Sequence, residues 1–287
     1  MPANKKFKNS VFVTLFDNPD LLRELYCALE GVTLPPDVPV SINTLENVLF
    51  MDFNNDISFE IGGKLIVLIE HQSTVNPNMA LRLLLYIARV LEKRTDSRFM
   101  YSKKRMAIPR PEFFVLYNGA APFPDTAVIK LSDLFEKPGI PGLPEKSRPL
   151  LELEVKVINI NNGKNEEIAN RCKKLAEYSL FMGKIREIND ELGNLEESIR
   201  KAVKYCQKHD ILNGFLETHG SEVLNMLLTE WNWDDAMAFA REEAREEIKE
   251  EIAMKALSKG LPPDVIKDIT GFDLETIQEI SSQLNGE

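Results

Sequence analysis

The sequence is short of the residues that disulfide and zinc frameworks need. Its 287 residues include three cysteines, Cys27, Cys172 and Cys206, widely spaced and in no CxxC pair. A disulfide scaffold or a cysteine zinc site is not expected, and a reducing cytoplasm is the simpler setting. Histidine is equally scarce, with only His71, His209 and His219. That excludes a histidine-rich metal site and leaves a carboxylate site open. No apolar run approaches the length that spans a bilayer, so no membrane partner is expected. The lysine-bearing N-terminus has neither a long apolar segment nor a small-residue cleavage site, so no signal peptide is expected. Basic residues are outnumbered 35 to 45, and the net charge is −10. This argues against a surface coated with positive charge. Repeats of fixed period and low-complexity tracts are also missing.

Hydrophobic patterning organises what is there. Residues 9–30 suggest a helix interrupted near Asn18-Pro19-Asp20, with Leu21, Leu22, Leu25 and Leu29 at helical spacing. A proline-rich connector follows, "GVTLPPDVPVS". Three strand-sized runs come next, at Val48–Phe53, Ile57–Ile61 and Leu65–Ile69. A helix then starts after Pro77, which suits the first helical position and makes Asn76 its expected N-cap. Residues 112–118 and 151–160 read as two more strands. From about Asn165 the pattern is helical, broken at "INDELGN", "KHDIL" and "THGSE". Helix, strands, helix, strands, then helices predict an α/β fold: a central mixed sheet flanked by helices, followed by a helical C-terminal third. The expected divisions are 1–230 for the body, 231–257 for an acidic connecting helix and 258–287 for a small helical tail.

The stretch "NDISFEIGGKLIVLIEHQS" (55–73) carries the chemistry. It reads as a hairpin with Asp56 opening one strand, and Glu70 and Gln72 closing the other. Alternation points Glu70 and Gln72 to one face and His71 to the other. A two-residue Gly62-Gly63 turn would set Asp56 opposite Ile69 and part the acids. A three-residue turn through Lys64 would set Asp56 opposite Glu70. That register also gathers Ile57, Phe59, Ile61, Leu65, Val67 and Ile69 on one apolar face, and is preferred for that reason. Two adjoining carboxylates repel and call for a cation. Oxygen ligands suit Mg²⁺, or Mn²⁺ in its place, bound through one or two carboxylates plus substrate phosphate. On charge pattern alone, ordinary surface acids remain the competing reading.

The next helix places Arg82, Tyr86, Arg89 and Lys93 at one helical spacing. They open a stretch, Arg82 to Arg110, with nine basic residues and two acids. Cations beside a carboxylate pair are what cleavage of a polyanion needs, since they hold phosphates while the acids hold metal. The competing reading is a solvated basic face with Tyr86 as packing.

Residues Asn55–Lys93, "EFFVLYNG" (112–119), residues 202–227 and the tail from Gly260 to Ile280 together resemble the recombination-promoting nuclease (Rpn) and putative transposase family, of the PD-(D/E)XK nuclease superfamily. The "IEHQS" block with its following Pro, Met, Arg and Tyr is the specific part. The resemblance implies a restriction-endonuclease-like core and Mg²⁺-dependent cleavage of double-stranded DNA. It implies Asp56 and Glu70 as metal ligands, with Gln72 where the superfamily pattern has lysine. Asn55 stands where the superfamily name has proline. Glu24 and Glu30, on the first helix, match a further acid found in some relatives.

The leading expectation is a cytoplasmic metal-dependent DNA endonuclease linked to recombination or mobile elements. In it Asp56, Glu70 and Gln72 are catalytic, and Arg82, Tyr86, Arg89 and Lys93 bind DNA. A second reading is a non-cleaving DNA-binding or regulatory relative, motivated by Gln72 and the net acidity. A third is a protein–protein adaptor built on the helical third, forming a homodimer through the tail. The tail's apolar positions (Leu261, Val265, Ile266, Ile269, Leu274, Ile277, Ile280) predict a small two-helix, helix-turn-helix-like face with few cations.

Overall fold

The structure, a computed structural model, describes residues 10–42, 56–95, 98, 101–136 and 148–285, with 232–244, 246, 247, 279 and 282–285 described in backbone only. Helix α1 (Val11–Leu15) gives way to α2 (Pro19–Glu30) at the expected interruption. The Asn18 carboxamide accepts from the N–H groups of Asp20 and Leu21, and Pro19 sits in the first turn, where its missing N–H costs nothing. Gly31 closes α2 in the left-handed conformation, at φ 67°.

Among the described residues six strands form one mixed sheet: β1 (Val40–Ile42), β2 (Ile57–Ile61), β3 (Leu65–Gln72), β4 (Arg110–Tyr117), β5 (Thr126–Lys130) and β6 (Glu154–Asn159). Their order is β1-β2-β3-β4-β6-β5. Strands β3, β4 and β6 run parallel, and the outer pairings are antiparallel. Parallel neighbours need a crossover, and α3 (Met79–Arg94) supplies it between β3 and β4.

Ile61 pairs with Leu65 and Ile57 with Ile69, so the hairpin turns through three residues, Gly62-Gly63-Lys64. Gly62 and Gly63 take positive φ, 59° and 64°, which a side chain would strain. The preferred register therefore holds. One face of the sheet buries Ile66, Leu68, Phe113, Val115, Val155 and Val157 against Met79, Leu83, Ile87 and Val90 of α3. The other carries Phe59, Val67, Ile69, His71, Phe114 and Leu116. There α1 and the long helix α5 (Lys173–Leu192) reach His71 through Phe12 and Tyr178.

Several boundaries differ from expectation. Strands β1 and β5 were not anticipated; both are short, partly exposed outer strands, without the apolar run that marks a buried one. Strand β6 starts at Glu154, not 151, because Glu152 turns aside to bind the Ser132 hydroxyl and N–H. Helix α3 begins at Met79 with Asn78 at its cap. Asn76 instead accepts the Asn78 N–H at 2.9 Å in the preceding turn, where the Gln72 side chain holds its own N–H. The expected strand at Val48–Phe53 lies outside the described residues.

After β6 come α4 (Glu166–Arg171), α5, α6 (Leu195–Lys208) and α7 (Asn213–Ser258). The expected breaks at "INDELGN" and "KHDIL" are real, the first capped by Gly193 at φ 62°. "THGSE" is not a break: α7 runs through it. Gly220 costs a helix about 1 kcal/mol, which burial of Val223 and Leu227 just beyond it offsets.

Two compact units divide at Leu228 and Thr229. In the second, α8 (Pro263–Thr270) and α9 (Leu274–Asn285) join at Gly271. Ile266, Ile277 and Ile280 pack against Ala253 and Ala256 of α7, giving a three-helix cluster where two helices were expected. Leu261, Val265, Ile269 and Leu274 stay exposed. Among the described residues no helix is long and apolar enough to cross a membrane.

Candidate functional site

The hairpin register brings the two acids together. Since Ile57 faces Ile69, the preceding residue, Asp56, falls opposite Glu70. Hydrogen bonds cross between the two strand ends in both directions. The Asp56 carboxylate accepts the His71 N–H at 2.7 Å, and the Glu70 carboxylate accepts the Asp56 N–H. Glu70 is 4% exposed. Burial pushes its carboxyl well above the usual range, and the Asp56 charge adds to this. Arg82 and the Asp56 N–H pull the other way.

Helix α3 presents its cations to this face from above. Arg82 reaches Glu70 at 3.5 Å, an ion pair of modest geometry. One turn on, Tyr86 is 8% exposed and belongs to the core under α3, so its ring packs. Burial, followed by the Glu70 and Asp56 charges, pushes its phenol pKa up. Arg89 is half-buried and Lys93 exposed. The expected basic face thus divides: Arg82 and Tyr86 close over the acids, while Lys93 stands toward solvent. Arg94, at the end of α3, pairs with buried Glu60 two residues before the turn. That second acid–arginine contact on the same face was not anticipated.

Gln72 lies one pleat beyond Glu70, and its carboxamide oxygen accepts the Asn76 N–H at 3.1 Å. It ties the start of the α3 crossover to the end of β3. His71 points to the opposite face, as expected. It stacks on Phe12 at 4.9 Å between ring centroids and meets the Tyr178 hydroxyl at 3.2 Å through Nε2. Burial, with the Arg186 charge, lowers its pKa to about 4, so the ring is neutral. The acids of the first helix have other partners: Glu24 accepts the Lys173 N–H at 3.0 Å, and Glu30 pairs with Lys156.

Asp56 and Glu70 suit a divalent cation by donor chemistry. Both are oxygen ligands, and burial of Glu70 beside the Asp56 charge is a cost that a cation would relieve. Among the described residues no third His, Cys, Asp or Glu joins them. A hard ion there would complete its shell with water and substrate oxygens.

Sequence reasoning missed a second polar group, at the C-terminal ends of β4 and β6. There Arg186 of α5 donates to the Asn118 carbonyl and side-chain oxygens, and to Asn161 Oδ1 at 3.0 Å. The available signal was the density of asparagines at 118, 159, 161, 162 and 165, just past two strands.

Comparison with known proteins follows the same residues. The family described as "Putative transposase, YhgA-like" matches residues 43–211. That span holds β2 to β6, α3 to α6, and every site residue named above except Glu24 and Glu30. No curated protein and no solved structure matches the chain. The match covers more than half of the sequence and associates it with mobile-element function. The chain belongs to the family of YhgA-like putative transposases.

Proposed function

We propose that the protein is a metal-dependent endonuclease that hydrolyses phosphodiester bonds in double-stranded DNA, working at the acid pair of the β2–β3 hairpin. The observation that carries this reading is the pairing of Asp56 with Glu70, where burial, and then the Asp56 charge, raise the Glu70 carboxyl. In an apolar hairpin two aliphatic residues would cost less than such a pair. Asp56 and Glu70 would hold Mg²⁺ or Mn²⁺, in a PD-(D/E)XK-like arrangement. Held there, the ion would supply Lewis-acid chemistry for hydrolysis of the phosphodiester by water. Glu70 must give up its proton for this, so binding strengthens as pH rises. Gln72 keeps one end of its amide fixed on Asn76 and turns the other to hydrogen-bond water or a phosphate oxygen. Arg82, released from Glu70 once the acid has a stronger partner, becomes available to the DNA backbone. Arg89 and Lys93 extend that cationic edge, and Tyr86 fixes the helix that carries it.

Arg82 at 3.5 Å from Glu70 also favours a second reading, in which the arginine is the resident cation and the protein binds DNA without cutting it. One experiment separates them. Supercoiled plasmid is incubated with purified protein in low salt, with Mg²⁺ or with chelator, beside Glu70→Gln and Asp56→Asn. The endonuclease reading expects nicking that needs both the metal and both acids. Plasmid retardation with no nicking under any metal would replace it with the silent binder.

A further inference from the structure

Arg186 carries a charge that no carboxylate among the described residues answers. Its acceptors are the Asn118 carbonyl oxygen, Asn118 Oδ1 and Asn161 Oδ1, all neutral. A guanidinium has five N–H donors, and three bonds leave at least one donor each on Nε and on the Asn161-bound nitrogen without an acceptor among the described residues. Asn118 adds another: it is 1% exposed, and its Nδ2 has no partner among the described residues. The amide cannot be turned to relieve this, because Oδ1 must face Arg186. A buried donor left unmet costs roughly 1–3 kcal/mol. Donors in surplus around one unanswered cation call for an acceptor-rich anion.

The location gives the anion a purpose. The Asn118 N–H donates to the Gln72 carbonyl at 2.9 Å, and a Cβ on Gly119 would lie 1.9 Å from the Ser73 carbonyl oxygen. Only glycine lets the two strand ends meet this closely. Glu70 is two residues back from Gln72 along β3, about 7 Å between Cα positions at the usual strand rise, with its side chain on the α3 face of the sheet and Arg186 on the α5 face. The Asn161 amide also donates to the Gly119 carbonyl at 3.0 Å, so the cradle is tied down on both sides.

We propose that Arg186, cradled by Asn118 and Asn161, is a phosphate-binding site at the C-terminal edge of β3, β4 and β6, placed to hold a phosphate of the strand presented to Asp56 and Glu70. The last clause rests on the endonuclease reading; the site itself does not. A planar fork with fixed neutral supports is the geometry that recognises phosphate oxygens in pairs.

Two measurements test it on the full chain, in chelator so that nothing is cut. Affinity for a fluorescent DNA duplex is followed across a KCl series, and inorganic phosphate is titrated by thermal unfolding at constant ionic strength. Arg186→Gln is expected to make the slope of log affinity on log salt shallower by about 0.9, one lost phosphate contact. It is also expected to lose the phosphate-induced rise in Tm. A change in the slope alone identifies backbone phosphate, and a change in the phosphate response alone identifies free phosphate; either supports the site. A strut with no ligand would lower Tm while leaving both responses at wild-type size, and that result overturns the proposal, as does a wild type that responds to neither probe. If Arg186→Gln does not unfold cooperatively, Arg186→Lys replaces it, keeping the charge and losing the fork. A phosphate response at least threefold weaker then supports the site, and an equal one overturns it. Glu70-dependent nicking alongside an unchanged Arg186→Gln would sink the phosphate site and leave the nuclease standing. An Arg186-dependent phosphate response without DNA binding would do the reverse.

Discussion

Glu70 and His71 are consecutive residues of β3 whose side chains leave by opposite faces, and both shun their charged forms. For His71 the cause is burial against Phe12, with the Arg186 charge adding to it, and the neutral ring keeps a hydrogen-bonding partner in Tyr178. For Glu70 burial is joined by a second acid set directly across the hairpin. The first arrangement is complete as it stands. The second holds a repulsion that only a cation or a proton removes, and Arg82 at 3.5 Å removes it in part. Burial alone does not distinguish a structural polar residue from a working one; an unanswered neighbour does.

The largest effect expected from this contrast is on acid stability. His71 has a folded pKa of about 4, below its unfolded value. The unfolded chain therefore takes up a proton that the folded one refuses. Stability is full above about pH 6.5 and falls as pH drops toward 4, by up to about 3 kcal/mol. Urea unfolding from pH 7 to pH 4 should show this loss in the wild type, and His71→Gln should flatten it by that amount. An unchanged profile would mean that the ring is protonated in the fold.

Glu70 should behave with the opposite sign. Its folded pKa is raised, so stability is full below the unfolded value near 4.3 and declines as pH rises through it toward the folded one. Glu70→Gln should therefore be more stable than wild type at pH 8, with the gain vanishing near pH 4. Loss of stability at pH 8 would show that the carboxylate is satisfied by Arg82 and needs no further cation.

The smallest effect belongs to Gln72. Gln72→Ala removes one hydrogen bond to the Asn76 N–H and should cost about 0.5–1.5 kcal/mol, read by thermal unfolding. The metal-induced rise in Tm should survive it, since the amide is not a charged ligand. If that rise disappears, Gln72 belongs to the metal site itself.

What the sequence made legible was short-range and periodic. Alternation of Ile57, Phe59 and Ile61 against Leu65, Val67 and Ile69 selected the three-residue turn, and with it the meeting of Asp56 and Glu70. Asn18-Pro19-Asp20 marked the interruption that separates α1 from α2. Other features depend on partners far along the chain. Tyr86 reads as part of a basic face, yet the sheet beneath α3 takes it into the core. Arg82 turns inward because Glu70 lies under it, 12 residues away in sequence. The Arg186 cradle joins residues 68 apart, with no local pattern to mark it. Strands β1 and β5 are short, half-exposed and carried by the pairing of their neighbours.

The most direct test of the acid pair is the proton it should release. Mn²⁺ and Mg²⁺ are titrated calorimetrically into the wild type and Glu70→Gln at pH 6 to 8, in buffers of different ionisation enthalpy. Since Glu70 holds its proton well above the usual range, the account predicts that metal binding to the wild type expels protons, and that Glu70→Gln neither binds comparably nor releases any. Binding of equal strength to both proteins, or no binding to the wild type at any pH, would contradict a metal site at Asp56 and Glu70.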